Sequence, residues 1–150
     1  MEVTPKHLEL VAAVQTAIRA GTQCIVTYLG PRGCGKTAAL VQAAVAIRPI
    51  IVTVFTAGPR RDADELCDVI HRAGGDTNRV IVTRRIEGEL EKQYHTETRM
   101  GDAADVLFID DADRVPGEVI APLLRLAHKV VVLTMFGSVE RVETSDRDAM

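Results

Sequence analysis

Gly30-Pro31-Arg32-Gly33-Cys34-Gly35-Lys36-Thr37 satisfies the pattern G-x-x-x-x-G-K-[ST] at every fixed position. A glycine-bearing loop brings backbone N–H groups close to phosphate oxygens, because no Cβ atoms stand in the way. The helix that follows points the positive end of its dipole at the same anion. In this reading Gly30, Pro31, Arg32, Gly33, Cys34, Gly35, Lys36 and Thr37 form the cradle. Lys36 reaches the terminal phosphates and the Thr37 hydroxyl ligates Mg²⁺. The flanks agree: Cys24–Leu29 reads as a buried strand entering the loop, and Thr37–Ile47 as an apolar helix leaving it, with Pro49 just beyond.

Outward from the loop, the chain alternates strands and helices. Thr4-Pro5 opens a first helix with a capping hydroxyl and a proline at its first position, and Gly21 ends it. After the loop helix, Ile50–Phe55 reads as a second buried strand. Ala63, Leu66, Cys67 and Ile70 then follow helical spacing, until Gly74-Gly75-Asp76 breaks the pattern. Val80–Thr83 is expected as a third strand and residues 86–102 as an exposed, charged excursion. Ile120, Leu123, Leu124 and Ala127 mark one further helix, and Lys129–Thr134 one further strand. Strand followed by helix implies a parallel sheet with right-handed crossovers. The expected fold is therefore α/β, a three-layer sandwich whose mostly parallel sheet of about five strands carries helices on both faces. One domain would span 1–138, with a polar, fraying tail over 139–150.

A second landmark is Asp105-Val106-Leu107-Phe108-Ile109-Asp110-Asp111, an apolar run that ends in acids. Strands of a parallel sheet point their C-terminal ends at one edge, where ligands bind, so these carboxylates should face the phosphate loop. Asp110 is the candidate Mg²⁺ ligand, and Asp111 stands where it can polarise an attacking water. Thr134, at the end of its strand, either closes that strand or hydrogen-bonds the γ-phosphate or the water. Arg60, Arg61, Arg84 and Arg85 follow strands and are expected at the same edge. They are either solvated loop residues or a basic rim for a nucleic-acid backbone, DNA or RNA.

Composition narrows the classes. The net charge of −3 excludes a globally basic nucleic-acid binder, and aromatic residues at 3% are too few for base stacking to be the main binding mode. Cys24, Cys34 and Cys67 suit neither a disulfide framework nor a zinc site. No apolar run approaches a membrane span and no signal-peptide pattern opens the chain, so a soluble, non-secreted protein, cytoplasmic or nuclear, is expected.

Together GPRGCGKT, TAGPRR, FIDDAD and VVVLT resemble the first RecA-like domain of P-loop motor ATPases, over roughly residues 22–138. Within that superfamily the motifs are similar to those of viral large terminase subunits, which package DNA, and of superfamily-2 helicases. The resemblance implies ATP and Mg²⁺ as cofactors, Asp110 as the Walker B acid, and Lys36, Asp111, Thr134 and Arg32 as catalytic groups. It also implies a further motor domain or a homo-oligomeric neighbour that supplies missing groups, and no membrane. Two departures stand out. Asp111 replaces the usual glutamate, and a misplacement of about 1 Å costs about 10²-fold in rate. The final core strand and the late catalytic arginine of the resembled domain are not expected in the short stretch after Thr134, and an arginine finger is worth about 10³–10⁵ in rate. Slow hydrolysis by the isolated chain is expected. A nucleotide-dependent interaction module with little hydrolysis is the alternative, and a small-molecule kinase a weaker one, since residues 112–138 hold no arginine-rich lid.

Overall fold

The computed structural model describes residues 4–21, 23–48, 50, 52–56, 60–75, 77–79, 81–82, 85–87, 90–92, 96–97, 106–115 and 129–146. Helix α1 spans Pro5–Ala20, strand β1 Cys24–Gly30, helix α2 Lys36–Ala46, strand β2 Val52–Thr56 and helix α3 Arg60–Arg72. Short strands follow: β3 Thr77–Arg79, β4 Ile81–Val82, β5 Arg85–Glu87, β6 Leu90–Lys92 and β7 Thr96–Glu97. Then come β8 Val106–Asp110, a single 3₁₀ turn Ala112–Arg114, β9 Val130–Phe136 and β10 Arg141–Asp146.

Local chemistry sets the first helix. The Thr4 hydroxyl accepts the His7 backbone N–H, Pro5 occupies the first turn, and Gly21 closes the helix at φ 69° with its N–H on the Ile18 carbonyl. The principal sheet has six strands in the order β10-β1-β9-β8-β2-β3. All neighbours are parallel except β10, which runs antiparallel to β1 from Cys24 opposite Asp146 to Leu29 opposite Arg141. The loop strand β1 and the acidic strand β8 are thus not adjacent, and β9 lies between them.

Alternation along the strands divides the core in two. Val26, Tyr28, Val54, Phe108 and Val132 face one side, where they pack with Leu10 and Val14 of α1, Leu40 and Ala44 of α2, and Leu66 and Ile70 of α3. Ile25, Phe55, Leu107, Ile109, Val131 and Leu133 face the other, against Ala112 and Val115. Both faces of the inner strands are buried, which is why these strands read as continuous apolar runs rather than as alternation. Among the described residues all three helices lie on the first face, and the helix expected at Ile120–Ala127 falls outside the described residues.

Two expectations are corrected. The third strand of the principal sheet is not Val80–Thr83 but β3, whose Thr77 pairs with Val52. The reason is local: the His71 ring accepts the Thr77 N–H at 3.1 Å, which pins the chain into the sheet directly after the glycine turn. Ile81–Val82 instead pairs antiparallel with Thr96–Glu97, and Arg85–Glu87 with Leu90–Lys92, so the expected excursion over 86–102 contributes strands to two small ladders. Likewise, the chain beyond residue 139 is not a fraying tail through Asp146 but carries the edge strand β10, antiparallel to β1. Its polarity suits an edge strand: Val142 packs on the core, while Arg141 and Glu143 pair at 3.0 Å in solvent.

Deleting residues 139–150 should therefore lower folding stability by about 2–5 kcal/mol, from the loss of ladder hydrogen bonds worth about 0.5–1.5 kcal/mol each. Urea denaturation followed by circular dichroism measures it; an unchanged midpoint would mean that β10 contributes nothing.

Candidate functional site

The Gly30–Thr37 motif lies between β1 and α2, as its sequence context requires. Gly33 and Gly35 hold φ values of 83° and 84°, a backbone region that L side chains rarely adopt. A Cβ at Gly33 would meet nothing within 4 Å, whereas one at Gly35 would lie 2.9 Å from the His7 ring. Gly35 is also the N-cap of α2 and supplies no side-chain cap bond, so the first N–H groups of this 11-residue helix keep their donors for another acceptor. Thr37 does not cap the helix either. Its hydroxyl donates to Asp110 Oδ2 at 2.8 Å, joining the loop to the end of β8.

Lys36 folds over the loop, and its ammonium donates to the carbonyls of Gly30 at 2.9 Å and Pro31 at 3.0 Å. The Gly30 carbonyl also accepts the Gly137 N–H at 3.0 Å, which fastens the loop's first residue to the β9–β10 turn. A second fastening lies beneath it: the Tyr28 hydroxyl donates to Glu140 at 2.8 Å. Burial and the Glu140 carboxylate together push the Tyr28 pKa well above its ordinary value. Arg32 is exposed at the turn of the loop, and Cys34 is half-buried with its thiol free of any disulfide.

Asp110 is 6% exposed, and both of its oxygens are engaged. Oδ2 accepts from Thr37, and Oδ1 accepts from the Thr134 hydroxyl at 2.5 Å. Thr134 is fully buried, and its oxygen accepts the Asp111 N–H at 2.8 Å. Its described contacts are therefore with the acidic pair. Asp111 adopts φ 51° and ψ 50° and is the one non-glycine residue at positive φ among the described residues. Aspartate and asparagine tolerate this region far better than longer side chains do. That preference gives a backbone reason for aspartate at this position. Burial, and secondarily the Asp110 carboxylate, raise the Asp111 pKa above its ordinary value; Arg114 and Lys36 pull the other way.

Of the residues expected to act together, Gly30–Thr37, Asp110, Asp111 and Thr134 converge at the C-terminal ends of β1, β8 and β9. Arg60 and Arg61 begin α3, which follows the C-terminal end of β2. Arg84 lies outside the described residues. Arg85 opens β5, which pairs with β6 apart from the principal sheet, so the strand-end argument no longer puts it beside the loop. Sequence reasoning missed His7, Glu140 and the bracing role of Tyr28, because each acts through a partner distant in sequence. Among the described residues no cluster of three or more His, Cys, Asp or Glu side chains could hold a metal, and no helix is long and apolar enough to cross a membrane. One hydroxyl and one carboxylate do meet, in Thr37 and Asp110, and this donor set fits Mg²⁺ completed by phosphate oxygens and water.

The folded chain holds the Asp111 proton more tightly than the unfolded chain does. Stability should thus fall as pH rises from the ordinary aspartate pKa through the raised one. Asp111→Asn, which also accepts the left-handed backbone, should flatten that fall and match or exceed wild-type stability at neutral pH. Thermal melts across the acidic range test this; an equal pH slope in both proteins would show that Asp111 carries no such strain. No protein-family model matches the chain, and no curated protein matches it in sequence.

Proposed function

We propose that this chain is a P-loop module of the RecA-like kind that binds ATP with Mg²⁺ and hydrolyses it slowly, as part of a nucleic-acid motor of packaging or helicase type. One observation carries the reading: the 2.8 Å hydrogen bond from Thr37, the last residue of the phosphate loop, to Asp110. Two motifs separated by 73 positions meet at the atoms that a shared metal requires. The interposed strand β9 between β1 and β8 supports it, since its Thr134 can hold the acid in place.

Each residue then has a chemical task. The uncapped start of α2 and the glycine backbone offer N–H donors and positive dipole to the phosphates. Lys36 exchanges the carbonyls of Gly30 and Pro31 for phosphate oxygens, which bear full negative charge and bind an ammonium more strongly. Mg²⁺, held by Thr37 and Asp110, would neutralise charge on the β- and γ-phosphates. Asp111 takes up the proton or orients the water, and its raised pKa is the shift that makes a carboxylate a better base. Thr134 holds the Asp110 carboxylate and the Asp111 backbone, and so acts as a positioning residue. Arg32, exposed on the loop, is available to a transition state in cis. Arg60 and Arg61 are the basic residues best retained for contact with DNA or RNA.

A second reading, a nucleotide-dependent interaction module with little hydrolysis, is favoured by one feature. The reach of Asp111 is shorter than that of the glutamate usual in the resembled families, and its backbone conformation disfavours the longer side chain. Turnover decides between them. Lys36→Ala should abolish ATP hydrolysis and weaken ATP binding, so near-normal turnover in that variant contradicts the assignment. Wild-type binding with turnover no higher than in the variant favours the interaction module. Separately, Asp110→Asn should remove the Mg²⁺ dependence of tight ATP binding in titrations with and without EDTA; an unchanged metal response argues against Asp110 as the metal ligand.

A further inference from the structure

His7 belongs to α1, outside every motif, yet it is buried to 2% exposure beneath the phosphate loop. Its Nε2 lies 3.1 Å from the Cys34 carbonyl oxygen. A carbonyl can only accept, so Nε2 carries the hydrogen and donates. Nδ1 is buried with no hydrogen-bond partner among the described residues. Burying an unpartnered ring nitrogen is unfavourable, and an apolar side chain would fill the site without that cost. The bond to Cys34 is what a histidine adds there.

The bond matters because of which peptide it holds. The Cys34 carbonyl and the Gly35 N–H belong to one trans peptide plane and point in opposite directions. Fixing the carbonyl toward α1 turns the Gly35 N–H away from α1, out of the loop's underside. The same ring closes against Gly35, where a Cβ would come within 2.9 Å, and it packs tilted on Tyr28 with centroids 6.0 Å apart. The Thr4 cap on the His7 backbone N–H sets the start of α1 and with it the position of the ring.

We propose that His7 is a positioning residue of the phosphate site: through the Cys34 carbonyl it sets the direction of the Gly35 amide toward an inorganic or nucleoside triphosphate. This rests on the nucleotide reading above. The test compares His7→Leu, which removes the donor at nearly the same volume, with His7→Gln, which retains one. Binding of ATP and of inorganic tripolyphosphate is titrated well below the melting temperature, alongside thermal melts and amide ¹⁵N spectra. In His7→Leu both ligands should bind about tenfold more weakly, in line with the loss of one hydrogen bond, while the melting temperature holds or rises. The Gly35 amide resonance should shift or broaden in the absence of ligand. His7→Gln should recover most of the affinity. Equal affinity of His7→Leu and wild type overturns the proposal alone, as does a loss in both variants that merely tracks their stability. A wild-type chain that binds neither ligand overturns the nucleotide reading and this extension with it.

Discussion

A single buried carboxylate, that of Asp110, is held by hydroxyls from two other parts of the chain. Thr37 approaches from the first turn of α2 and Thr134 from β9, one on each oxygen. Taking a carboxylate out of water is costly unless donors replace the lost hydration, and here each oxygen receives one. The arrangement therefore ties the C-terminal parts of β8 and β9 and the first turn of α2 to one point. It also fixes the distance between the Gly30–Thr37 loop and the acid more firmly than an apolar contact would, because hydrogen bonds are directional.

The strand order makes that triad possible. With β9 between β1 and β8, Thr134 near its C-terminal end lies beside both neighbours, and a short β-branched alcohol suffices to reach the acid. The same strand then turns back through Gly137 and Glu140 to form β10, and that turn braces the loop from the far side. From α1 comes the third support, the His7 ring on the Cys34 carbonyl. The loop's backbone is thus held by elements that precede and follow it in the chain, while its mouth carries the exposed residues Arg32, Gly33 and Thr37. Preorganised amides of this kind stabilise anions without reorganising when charge develops.

Asp111 shows how backbone and chemistry constrain each other. Its left-handed conformation directs the N–H onto Thr134 and selects a short side chain. The neighbouring carboxylate and partial burial raise its proton affinity. A longer acid would reach farther but would fit this backbone less well. The identity of the residue reflects both demands.

The order of strands and helices through α3, the loop between β1 and α2, and the acids at the end of β8 were legible in the sequence, because each rests on local chemistry. Glycines are required where φ is positive, caps where helices begin and continuous apolar runs where strands are buried on both faces. What only the tertiary structure decided involves partners far apart along the chain. Sequence could not show that Thr134 turns its hydroxyl to Asp110, or that His7 and Glu140 support the loop. Polar side chains at helix and strand ends look alike until their partners are known. The edge strands escaped for a related reason: β3 and β10 need bury only one side, so Thr77–Arg79 and Arg141–Asp146 carry little apolar signal. Their pairing is set by the neighbours already in the sheet, β2 and β1, and not by their own composition.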